Sequence, residues 1–144
     1  MIAREPIYAA LFARVAAAAG FVTAGRRLRH WSDVAPAEQP ALFQYQKAET
    51  AVVKARGAPT VWILRVELHL CAHSGDPHLA PAAILNPLLD AVEAALAPNA
   101  AGGIQDLGLP AFVQHAYIAG KVATDEGALG DQAVAIVPVE ILCL

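Results

Sequence analysis

A two-residue alternation of apolar and polar positions from Thr60 to His73 is the strongest pattern along the chain, and it predicts a β-strand. Trp62, Leu64, Val66, Leu68 and Leu70 fall on one face, and Arg65, Glu67, His69, Cys71 and His73 on the other. That division suits a sheet with one buried and one wetter side. Phe112–Thr124 and Gln132–Leu144 also read as strand-forming, joined through Asp125, Glu126, Gly127 and Gly130 as a hairpin. In the last run Val134, Ile136, Val137, Val139, Ile141 and Leu142 are apolar on both parities. Such a strand is expected to be covered on both faces, by its own helices on one and by a neighbouring subunit on the other.

Helical spacing occurs twice. From Glu5 to Ala19, Ile7, Leu11 and Val15 recur every four positions, with Pro6 in the first turn and Gly20 at the end. Tyr8 and Phe12 lie off that stripe, which predicts a second covered side. The other helix is predicted to begin at Asn86 as its cap, with Pro87 in its first position, Asp90 in its first turn, and Leu88, Leu89, Val92 and Leu96 as its stripe. Pro98 and Asn99 end it.

Between these elements, Phe21–Trp31 reads as extended, Asp33–Pro40 as a loop, Ala41–Gln46 as a short strand followed by another loop, and Ser74–Pro81 as a turn-rich connection. Asn99–Pro110 is glycine-rich with few side-chain anchors, as in a flexible connection. There is no internal repeat and no linker, so residues 1–144 read as one domain. The expected fold is α/β in the broad sense (α+β): a two-layer sandwich of two main helices on a mixed, largely antiparallel sheet of about four to five strands.

Composition changes this picture in one respect. The chain is 57% hydrophobic and 16% charged, with a mean hydropathy of +0.46, whereas soluble domains average about 25% charged residues. It therefore carries more apolar surface than one small domain hides, and a surplus of that kind marks interaction sites. A membrane span needs roughly 18 consecutive apolar residues, and the densest stretch, Ala133–Val139, is shorter and contains Pro138. Arg4, Glu5 and Arg14 break up the N-terminal apolar residues, unlike a signal peptide. Two cysteines, Cys71 and Cys143, without CxxC spacing suit a reducing compartment. The net charge of −3 and a single short basic cluster, Arg26, Arg27 and Arg29, do not suit a DNA reader.

Candidate chemistry is sparse. His69, Cys71 and His73 share a strand face, with Asp76 and His78 beyond them, and residues two apart on a strand lie about 6.6 Å apart, so zinc could be reached. The polar face of an amphipathic strand accounts for the same residues, and no metal or cofactor is expected. Ser32 and Ser74 are the two serines; neither sits in a GxSxG elbow, and a polar turn explains Ser74 beside His73 and Asp76. Gly102 and Gly103 are not followed by the GK[ST] of a phosphate loop. Asp125, Glu126 and Asp131 could hold Ca²⁺ or Mg²⁺, but a solvated hairpin tip explains them. Arg26, Arg27 and Arg29, with His30 and Trp31, read equally as a rim for an acidic partner or as a salt-bridged strand edge.

Three segments carry a resemblance: RRLRHWSDVAPAEQPALF (Arg26–Phe43), NPLLDAVEAALAP (Asn86–Pro98), and the pattern LG…VQHAYIAGKVATDEG…GDQAVAIVPVEIL (Leu107–Leu142). These resemble small proteins of tailed-phage and prophage morphogenesis clusters. Element order is similar to the tail terminator family of long-tailed phages, the class of the lambda minor tail protein U. The resemblance implies a virion structural protein and not an enzyme, at the head-proximal end of the tail and in the host cytoplasm during assembly. Its subunits would close into a six-fold ring on the last ring of tail tube protein, stop tube growth and present a surface to the head–tail connector protein. Genomic DNA would pass through the lumen without specific binding.

A closing ring of identical subunits uses heterologous interfaces, which would consume the surplus apolar surface. The interaction residues expected are Arg26, Arg27, Arg29 and Trp31 on a charged rim, and Asp125 and Glu126 on the hairpin tip, with the loop Asn99–Leu109 also able to reach a neighbour. Replacing Arg27 and Arg29 with Glu is expected to leave the fold intact and block tail joining. Three other readings remain: a head completion or connector adaptor protein of the same neck, a small zinc-dependent hydrolase using His69, His73 and His78, and a dimeric ligand-binding domain.

Overall fold

The computed structural model describes residues 2–126 and 130–144, so Gly127 of the expected hairpin lies outside the described residues. The elements are α1 (Arg4–Ala16), β1 (Thr23–Gly25), β2 (Ala41–Val52), β3 (Val61–His73), α2 (Ala82–Ala95), β4 (Val113–Ile118), β5 (Ala123–Glu126) and β6 (Gln132–Cys143). Two helices and one mixed sheet make this a mixed α+β fold, with six strands in place of the four to five expected. The order across the sheet is β1-β2-β3-β6-β4, with β5 also paired to β6; β1 runs parallel to β2, and every other pairing is antiparallel.

The alternation seen in the sequence of β3 holds in space. Leu64, Val66, Leu68 and Leu70 are buried and meet the alternate residues of β6, from Ala135 to Ile141, which are buried too. Onto this face pack Ile7, Tyr8, Leu11 and Val15 of α1 and Leu85, Leu88 and Val92 of α2, forming one core. Tyr8 thus covers the second side of α1 that the sequence suggested.

Three boundaries differ from expectation for identifiable reasons. Strand β2 continues past Gln46 to Val52, although Lys47, Glu49 and Thr50 read as loop, because β3 offers an antiparallel partner on both sides of a bulge at Lys47. Glu49 is held there by the Tyr8 hydroxyl, which donates at 2.9 Å, and by Arg4 at 2.8 Å. Helix α2 begins at Ala82, not after Asn86, so Pro87 lies inside it. A proline ring in a helix interior removes one N–H and crowds the preceding turn; Pro87 sits on the exposed side, where water can serve the freed carbonyl. The N-terminus of α2 is capped from a distance: a Glu126 carboxylate oxygen accepts the Ala82 N–H. Removing a helix cap costs about 1 kcal/mol, and Glu126→Ala is expected to lower the urea-unfolding free energy by about that amount; unchanged stability would remove the cap assignment.

The third difference is the split between β4 and β5, which pair with adjacent stretches of the same edge of β6. Pro138 lies opposite the break, and its carbonyl accepts the Ala119 N–H at 3.0 Å. Having no N–H to return, Pro138 cannot continue the ladder on that side. The neighbouring chain turns away at Gly120, whose φ of +99° suits glycine.

The 99–110 connection is anchored more firmly than its glycines suggest. Gln105 and Leu107 are buried, the Gln105 side chain donates to the Ala97 carbonyl at 2.9 Å, and its own carbonyl oxygen accepts the Leu107 N–H at 3.1 Å.

Candidate functional site

Both helices lie on one face of the sheet, and the opposite face carries no α-helix. Its register places Arg65 of β3, Glu140 of β6 and Tyr117 of β4 in one row across three strands, with Thr50 of β2 in the adjacent row, opposite Ile63. Arg65 donates to Thr50 Oγ1 at 2.6 Å and to Glu140 Oε1 at 3.1 Å, while the Tyr117 hydroxyl donates to Glu140 Oε2 at 2.8 Å. The Glu140 hydrogen bond, then burial, holds the Tyr117 hydroxyl above its ordinary pKa. Partly exposed pairs of this kind contribute about 0–1 kcal/mol; their effect is to fix side-chain positions on a flat surface.

Two rows further along, His69 Nε2 lies 3.5 Å from Glu67 Oε1 yet makes no hydrogen bond among the described residues. Burial pushes the His69 pKa below its usual value, and Glu67 offsets this only in part. A folded-state pKa below the unfolded value means that the unfolded chain binds the proton more readily. The contribution of His69 to stability is therefore full above about pH 6.5 and is lost as pH falls through the depressed folded-state value. Unfolding titrations at neutral and mildly acid pH should show wild type losing more stability on acidification than His69→Gln; identical losses would contradict the assignment.

The far half of the same face is apolar. Residues 28–34 fold back over it, and Trp31 packs against a second small core of Val34, Ala41, Phe43 and Cys71. Between this segment and the sheet runs a groove of about 360 Å³, walled by Leu28, Arg29, His30 and Trp31 and floored by residues of β3 and β6 that include His69, Cys71, Val134 and Ile136. Cys71 was expected on the wetter face, but Trp31 and Val34 bury it, and burial raises its thiol pKa to about 11. The last strand is covered only in part on this face by the single chain: Val134, Ile136, Pro138 and Leu142 remain half-buried.

The residues singled out from the sequence separate into groups. Arg26 is bound to Glu5 and reaches Gln46 at 3.3 Å. Arg29 donates to Glu38 and to the Asp33 carbonyl, both at 2.6 Å. These two tie down the 26–38 segment, while Arg27 is exposed. The double replacement of Arg27 and Arg29 would therefore disturb local structure, and Arg27→Glu alone is the cleaner probe of a charged rim. Trp31 and Arg29 reach the groove, whereas Asp125 and Glu126 lie on β5 at the other edge of the sheet.

Among the described residues no group of three or more His, Cys, Asp and Glu is placed to hold a metal ion. Leu28 is part of the groove that the sequence did not single out; for Val134 and Ile136 the signal was the double-parity apolar pattern. No protein-family model and no curated protein matches the chain. Among the described residues no helix is long and apolar enough to cross a membrane.

Proposed function

We propose that the protein is a structural subunit that assembles with copies of itself into a closed ring and works as a phage tail terminator. In this reading the ring sits on the last ring of tail tube protein, stops tube growth and offers its outer surface to the head–tail connector. The observation that carries it is the helix-free sheet face, where an apolar groove and the half-buried β6 side chains lie open in the single chain. Leu28 and Tyr45 on that side are 40% and 38% exposed, and a neighbouring copy would cover such surface. Element order and the three resembling segments supply the tail assignment.

The subunit acts through surfaces and needs no chemistry of its own. Both thiols are buried and held protonated by that burial, and the Ser74 hydroxyl is turned to the Asp76 carbonyl at 3.3 Å. Neither arrangement supplies an activated nucleophile; the Ser32 hydroxyl lies 2.6 Å from His30 Nδ1, which also accepts the Ser32 N–H at 3.2 Å as part of a local turn.

Mixing purified protein with preformed tails and, separately, with empty heads tests the assignment. Co-sedimentation with tails, and restored joining, is the expected result; binding to heads alone would place the subunit on the connector side and overturn the terminator reading. In the same assay Arg27→Glu is expected to bind tails as wild type does and to join heads poorly. Normal joining by that variant would remove Arg27 from the rim.

A further inference from the structure

We propose that copies of this chain meet head to tail, the cationic tip of the β2–β3 hairpin of one copy docking on the acidic side chains at the opposite end of the sheet of the next. The β2–β3 connection, residues 53–60, carries Lys54 and Arg56 and no acid, whereas the opposite end carries Asp76 after β3, Asp125 and Glu126 at the end of β5 and Asp131 before β6. Lys54, Arg56, Asp76, Asp125 and Asp131 are all exposed. None of them forms an ion pair among the described residues, although Arg4, Arg26, Arg29, Lys47 and Arg65 each have an acidic partner. The pairing register sets the two groups at opposite ends: Val61 faces Val52 beside the tip, and His73 faces Gln132 beside Asp131.

Across the thirteen residues of β3 the separation is about 40 Å at 3.3 Å per residue. Screening at physiological salt acts over about 8 Å, so these charges cannot serve each other within one chain. Between copies aligned along the strand direction they come into contact. Each end also offers an exposed apolar side chain beside its charges, Val53 at 62% on the tip and Leu79 at 42% on the acidic side. Two different surfaces meeting in this way form a heterologous interface, the kind that closes into rings.

The inference rests on the self-assembly reading and adds a direction to it. The test uses two charge-reversed variants of the full chain, Lys54→Glu with Arg56→Glu, and Asp76→Lys with Asp125→Lys and Asp131→Lys, with circular dichroism confirming the fold of each. Each variant then carries like charge at both ends. Sedimentation should show each alone associating at least about tenfold more weakly than wild type, roughly 1.4 kcal/mol, and an equimolar mixture recovering assembly, because opposite ends again match.

A variant that assembles alone as wild type does, or a mixture that fails to recover, would overturn the head-to-tail pairing while leaving the ring reading in place. A wild type that is monomeric at every concentration would overturn both.

Discussion

Ile136→Glu is expected to fold and to remain a monomer at concentrations where the wild type assembles. Ile136 lies opposite His69 on the helix-free face, at the floor of the groove, and is half-buried in the single chain. Its replacement removes part of one side chain's burial, about 1 kcal/mol, and places a carboxylate where water and His69 can both receive it. Under a neighbouring copy the same carboxylate loses its water, and an uncompensated charge in an apolar contact costs several kcal/mol. Association should weaken by about 100-fold or more, since every 1.4 kcal/mol is a factor of ten. Sedimentation velocity and thermal unfolding read the two quantities separately, and assembly unchanged in a folded variant would remove the groove from the interface.

Leu68→Ala is expected to do the reverse. Leu68 is one residue from His69 but on the other face, fully buried and paired in register with Val137. Truncation of a fully buried leucine costs about 3–4 kcal/mol through lost transfer energy and a residual cavity, a large share of the roughly 5–15 kcal/mol that holds a domain of this kind together. Urea denaturation measures it directly. Where the variant remains folded, its helix-free face is unaltered and its association should match wild type. A loss below about 1 kcal/mol would mean that the β3–β6 core is looser than its packing implies.

These paired outcomes follow from a feature legible in the sequence. The alternation of β3 assigns Leu68 and His69 to opposite faces because side chains on a strand alternate with period two. Apolar residues on both parities of β6 likewise flagged Val134 and Ile136 as more than ordinary surface positions.

What was hidden depended on partners distant in sequence. The start of α2 could not be read from Asn86 and Pro87, because its cap is Glu126, 44 residues away. The second half of β2 looked like loop because Lys47, Glu49 and Thr50 are polar, and only pairing with β3 and contact with Tyr8 make it strand. Burial of Cys71 depends on the fold-back of Trp31 and Val34 over the sheet, which no local pattern announces. Arg26 and Arg29 read from sequence as a patch, yet in space each is paired within the chain.

The proposed function and the Ile136 prediction share one premise, that the uncovered sheet face is a surface for identical copies. Sedimentation equilibrium of the purified wild-type protein over a wide concentration range tests it most directly. The expected result is a particle of discrete size whose mass is an integer multiple of the 15.0 kDa chain. A mass of 15.0 kDa that persists to the highest concentration would contradict it.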